Sequence, residues 1–127
     1  MTSFRETLVA VASGSSGSAV GESEPTRLVH GIVLAVYLAR TASPVSTTDV
    51  VIQEYGRTPA LPVLAVNNVA ADGWYYPRLT LHDAADGSEV VGPVDYVTVN
   101  APLQLSISGA NEGTEITATV EWEPVKP

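Results

Sequence analysis

The chain contains no cysteine. That excludes a disulfide, a thiolate nucleophile and a zinc–sulfur centre, and it fits assembly in the cytosol. Basic residues are scarce: six lysines and arginines stand against fourteen carboxylates, for a net charge of −8. A nucleic-acid surface needs a basic stripe to displace counterions from phosphates, so no nucleic-acid partner is expected. The long apolar run, LVHGIVLAVYLA, is about half the length needed to cross a bilayer, and it carries His30. The opening MTSFRETLVAVASGSSGS lacks the basic segment and apolar core of a signal peptide. A soluble protein with no membrane partner is the expectation. Nine prolines and ten glycines are spread along the whole length and leave no uninterrupted window for a long helix.

What is present favours strands. Val and Ala dominate the apolar share, and Val, Thr, Ile and Tyr suit a pleated, half-buried surface. Residues 1–12 read as a short strand with Leu8, Val9 and Val11 as its apolar content. SGSSGS follows, either as the loop joining the first two strands or as part of a mobile arm reaching a neighbouring molecule. Residues 1–24 therefore form an N-terminal strand or arm with its linker, and 25–127 the main domain. RLVHGIVLAVYLA is apolar on both faces, with Leu28, Ile32, Leu34, Val36 and Leu38 on one and Val29, Val33, Ala35 and Tyr37 on the other. Gly31 and the branched residues argue against a helix there. A strand buried on both sides points to a second layer or a second protomer.

Further along, DVVIQEYG reads as a strand and RTPALPVLAVNN as a loop leading into a short one. The last third alternates cleanly. Leu103, Leu105 and Ile107 alternate with polar residues, as do Ile116, Ala118, Val120 and Trp122, and SGANEG between them predicts a β-hairpin. The whole predicts an all-β protein, an antiparallel β-sandwich or jelly roll of about eight strands.

No residue set carries catalysis. His82 falls at an outward position beside a turn, and His30 lies inside an apolar strand, where a hydrogen-bonded core histidine is expected. Asp83, Asp86 and Glu89 fail the alternating-oxygen pattern of a calcium loop and suit a turn instead. Asp49 suits a strand edge. SGSSGS lacks the lysine of a phosphate loop. Neither a metal nor a cofactor is predicted.

DGWYYPRLTLHD is the unusual stretch. In a strand, Trp74, Tyr76 and Arg78 share one face, while Tyr75, Leu79 and Leu81 share the other, and Pro77 requires an edge or bulge. Three uses fit this composition. Flat rings with an arginine make a carbohydrate platform, an interface hot spot, or a core anchor with polar tips.

GIVLAVYL at 31–38, STTDVVI at 46–52, ADGWYYPR at 71–78 and LHDAADG after it give the chain a wider resemblance. In that order it resembles a family of small tailed-bacteriophage virion proteins, usually encoded beside the major capsid protein, with WYYPR the most specific block. The C-terminal GTEITATVEWEPVKP is only loosely like that family. The resemblance implies a β-sandwich head decoration, or cement, protein on the capsid surface of the virion, made in the host cytoplasm, with the major capsid protein as partner. The two-sided apolar strand adds the expectation of a homotrimer, and residues 5–12 that of a strand donated to a neighbour. Interface candidates are Leu8, Val9, Val11, Val29, Val33, Tyr37, Trp74, Tyr76 and Arg78. The alternative is a carbohydrate-binding or adhesion-type module of a virion.

Overall fold

Alternation sets which side of each strand is buried, and the computed structural model, which describes residues 3–40, 47–69, 71–82 and 89–124, shows where those sides meet. Its strands are β1 (Phe4–Val11), β2 (Ala19–Glu22), β3 (Val29–Arg40), β4 (Asp49–Glu54), β5 (Pro62–Val66), β6 (Gly73–Tyr75), β7 (Arg78–His82), β8 (Glu89–Ala101), β9 (Leu103–Ala110) and β10 (Glu115–Pro124). They form two antiparallel sheets with no helix among the described residues. One has the order β1-β10-β3-β8-β7, with β6 also on β3; the other is β2-β9-β4-β5. The all-β sandwich expected from the sequence is the fold, with ten strands among the described residues where about eight are expected.

The pairing is nested. β1 pairs β10, β2 pairs β9, β3 pairs β8 and β4 pairs β5, so the chain behaves as one long antiparallel ribbon rolled up. Alternate pairs of the ribbon fall in opposite sheets and are joined through β10·β3 and β9·β4. This is the jelly-roll arrangement. β6 and β7 are additions between β5 and β8.

β9 and β10 bury the side chains that their alternation picks out: Leu103, Leu105, Ile107, Ile116, Ala118, Val120 and Trp122 all lie in the core. They do not form a hairpin with each other. β9 pairs β2 and β4, whereas β10 pairs β1 and β3, and the turn between them carries the chain from one sheet to the other. Alternation fixes the buried face but not the sheet. A second crossing is tighter, with Pro102 alone separating β8 from β9. The Tyr55 amide donates to the Pro102 carbonyl at 2.7 Å.

The N-terminal segment is part of this architecture. β1 runs beside β10 over its full length, and β2 forms an edge of the other sheet. Of the two readings of residues 1–24, the strand describes β1, and residues 5–12 are not an arm extended to a neighbour. SGSSGS is the connection between β1 and β2, pinned by Ser13 and Val20, which exchange backbone hydrogen bonds, and by the Gly17 amide donating to Ala110.

β3 sits between β10 on one side and β8 and β6 on the other, so it is an interior strand of its sheet. Its apparent two-sidedness has a local cause. The register with β10 steps from Ala35↔Glu121 to Val33↔Trp122, leaving one extra residue as a bulge. The bulge reverses the parity, so Val29 and Val33 are buried before it and Val36 and Leu38 after it. Both faces expected from the sequence are thereby split, and Leu28 is exposed. Gly31 has its own reason: a Cβ there would run into the Glu123 carbonyl and press on the Trp122 ring.

Two buried carboxylates hold the frame. Glu6 accepts from Trp122 Nε1 and Arg27 Nε, each at 3.0 Å. Glu54 accepts from Arg57 Nη1 at 2.8 Å and from the Asn100 amide at 3.1 Å, tying the β4–β5 turn to β8. Trp122 also packs against Phe4, with ring centroids 5.2 Å apart. Trp122→Ala should therefore lower stability by about 3–5 kcal/mol, as expected for a buried indole. Urea unfolding measures this, and a loss below about 1 kcal/mol would contradict the packing described.

Candidate functional site

The outer face of the six-stranded sheet gathers the aromatic stretch. β6 pairs β3 through only three residues, with Tyr37 opposite Trp74 and Val36 opposite Tyr75. Alternation then sends Trp74 and Tyr76 outward, where they are 46% and 62% exposed, while Tyr75 packs against the core. The Trp74 and Tyr37 rings lie 5.1 Å apart at 57°, a tilted pair within the favourable range. Asp72 anchors the start of β6 by accepting the Arg40 amide at 3.0 Å.

Arg78 joins this strand to the rest of the face. β8 covers β3 as far as Val33 and β6 begins at Val36, so residues 34 and 35 have no strand on that side. Arg78 Nη1 enters there and donates to the Leu34 carbonyl at 3.2 Å and to the Pro77 carbonyl at 2.7 Å. Its guanidinium carbon lies 4.2 Å from the centroid of the Tyr96 ring, opposite it on β8. One side chain thus meets the polar need of the bulge and orders an aromatic ring by a cation–π contact. The result is a face that carries Tyr37, Trp74, Tyr76, Arg78 and Tyr96, in which Tyr37 packs on Trp74 and Arg78 on Tyr96.

The other interface candidates divide. Leu8, Val29 and Val33 are core residues and present nothing to a partner, because the parity of β1 and β3 turns them inward. Val9 and Val11 are exposed on β1, at the far edge of the same sheet. Tyr96 is the residue of this face that the sequence reading does not include. The signal was there in DYVTVNA, where Tyr96, Thr98 and Asn100 alternate with Val97, Val99 and Ala101.

His30 is not a core histidine. It is exposed on β3 opposite Asn100, between the buried Val29 and Gly31. Asp49 accepts the Asn68 amide at 3.0 Å and staples the β5 exit to the start of β4. Asp83 and Asp86 lie outside the described residues, as do the side chains of Leu81, His82 and Glu89. No His, Asp and Glu group among the described residues is arranged to hold a metal ion. No helix among them is long and apolar enough to cross a membrane.

No protein-family model matches the chain, and no curated protein matches it. Among solved structures it is similar to a crystal structure of FlhE, at 13% identity over 96% of each chain, with a TM-score of 0.49. A likeness of that degree carries no functional inference.

Arg78→Lys keeps the charge but removes the planar group that reaches two carbonyls and stacks on Tyr96. It should cost about 1 kcal/mol in thermal or urea unfolding and change the near-ultraviolet circular dichroism of the aromatic face. An unchanged spectrum would mean that Arg78 does not order that face.

Proposed function

We propose that this chain is a non-catalytic docking protein of a phage particle, seated on the capsid lattice through the outer aromatic face. The observation that carries this reading is the exposure of Trp74 and Tyr76 on the sheet face that also carries the Tyr37–Trp74 and Arg78–Tyr96 pairs. Large rings that are ordered in advance lose little entropy on contact, which is why Trp, Tyr and Arg dominate interface energetics. The same ADGWYYPR block carries the resemblance to virion proteins. The net charge of −8 suits a protein present in many copies on one surface. Stabilisation then comes from mass action over many docked copies, with no chemistry required.

Donation of residues 5–12 to a neighbour, expected from sequence, does not serve as the mechanism. That strand is bound to β10, and a deletion of residues 1–18 would strip β1 from its sheet. The docking role passes to the aromatic face. A carbohydrate-binding role is the second reading, and it is favoured by the same exposure, since Trp and Tyr rings beside an arginine suit the faces and hydroxyls of sugars. Jelly rolls serve both viral capsid and lectin domains, so the fold itself does not choose between them.

The test uses the double variant Trp74→Ala/Tyr76→Ala, in which both side chains are about half or more exposed. It should keep its melting temperature within a few degrees while its affinity for assembled capsids falls at least ~100-fold, as for loss of two central anchors. Co-sedimentation measures the binding. Full occupancy by the variant would refute docking through this face. Saturable tryptophan quenching by oligosaccharides, lost in the variant, would move the assignment to glycan binding.

A further inference from the structure

β1 ends the six-stranded sheet, and no described strand lies beyond it. The direction of its backbone groups can be read from its last hydrogen bonds. The Ala12 amide donates to the Thr114 carbonyl at 2.8 Å and the Ala12 carbonyl accepts from Gly113 at 2.9 Å, so Ala12 points both groups toward β10. Antiparallel ladders alternate, so Glu6, Leu8 and Ala10 point the same way, and Arg5, Thr7, Val9 and Val11 point their N–H and C=O groups outward. The Val11 carbonyl is covered, since a Cβ on Gly21 would collide with it. What remains open is a run of three outward residues: Arg5, Thr7 and Val9.

Such an edge invites pairing, and proteins usually blunt it with lysine, proline, a bulge or an inward charge. β1 has no lysine and no proline, and its register with β10 is unbroken. Its inward charge, Glu6, is held by Trp122 and Arg27 and does not project to the edge. Val9 and Val11 are 45% and 52% exposed beside it. The strip is also locally neutral, because Arg5 pairs with Glu121 at 2.6 Å. In a chain of net charge −8, two copies can meet here without bringing like charges together.

We infer that the occupant of this edge is a second copy of the same chain, paired antiparallel about a two-fold axis at Thr7. Arg5 of each copy then lies opposite Val9 of the other, and Thr7 opposite Thr7. Each of those pairs exchanges two backbone hydrogen bonds, about six in all. Only this register uses the open residues and leaves the covered Val11 outside. Side chains keep their faces: the row Thr7, Thr119, Tyr37, Trp74 continues through the axis into its own mirror sequence in the second copy. A two-fold normal to the sheet places both aromatic faces on the same side of one continuous sheet. The pairing does not depend on what those faces bind.

The absence of cysteine makes the test direct, because Thr7→Cys supplies the chain's sole thiol. Mild oxidation should convert this variant to a disulfide-linked dimer at least ~10-fold faster than Thr98→Cys, an exposed site on β8 remote from the axis. Wild-type protein should sediment as a reversible dimer at about 100 µM, as befits an edge contact smaller than a standard interface. Val9→Pro removes an outward N–H and spares the ladder to β10, so it should return the protein to a monomer with its far-ultraviolet spectrum unchanged. Should that variant misfold, Val9→Lys, which sets a cation against Arg5 of the other copy, should weaken the dimer at least ~10-fold. A wild-type monomer or trimer at about 100 µM would overturn the proposal. So would equal cross-linking of the two cysteine variants.

Discussion

Between Val33 and Val36 the central strand carries one residue more than β10 can match, and the ladder absorbs it as a bulge. Much of the outer surface follows from that accommodation. The reversal of parity lets both halves of β3 bury valine and leucine although the strand as written alternates in neither sense. The same step coincides with the gap between β8 and β6, where the Leu34 carbonyl would face no ladder partner. Arg78 fills the gap, and Tyr96 is held by the group that fills it. A bulge that re-aims side chains next to a functional surface is a common device in sheets. Here it converts a backbone defect into the anchor of an aromatic face.

The parts of the fold that could be read in the sequence are those where one periodicity runs undisturbed. β10 alternates from Ile116 to Trp122 and β9 from Leu103 to Ile107, and each inward residue expected from them is buried. Their sheet membership was not legible, because a strand facing the core from above and one facing it from below carry the same pattern. β3 misled for the opposite reason: an extra residue has no signature in composition, so two half-patterns of opposite phase look like one strand apolar on both faces. β8 was hidden by Gly92 and Pro93 in its middle. At the site, the shared face of Trp74, Tyr76 and Arg78 was legible from alternation, and so was the opposite orientation of Tyr75. Whether that face met core or solvent depended on β6 joining β3 from outside the rolled ribbon, a tertiary fact that no local pattern encodes. Leu8, Val29 and Val33 read as interface residues on the same ground, apolar content without a known direction.

The buried acidic groups show where polar side chains are used in this molecule. Glu6 and Glu54 are each tied to an arginine and to one further donor, Trp122 Nε1 or the Asn100 amide. Breaking either would leave a charge stranded in an apolar interior, so these carboxylates specify the packing of β1 against β10 and of β4 against β8. They act as fasteners within the frame. Binding is left to rings, which need an ordered backbone and nothing to ionise.

The nested pairing has a consequence for how the molecule comes into being. Arg5 bonds Glu121 across 116 residues, and β10 stands between β1 and β3 in the sheet. During synthesis β1 emerges first and has no neighbour until the ribosome has released β10. Every earlier stage leaves FRETLVAV, an unprotected and partly apolar strand, searching for a ladder. Such high contact order slows folding because the loop must close before any contact rewards it. The window of exposure is therefore set by translation time, and in a crowded polysome the nearest available edge belongs to another nascent copy. Expression conditions that slow elongation late in the chain should lengthen that window, making soluble yield a property of translation rate as much as of sequence.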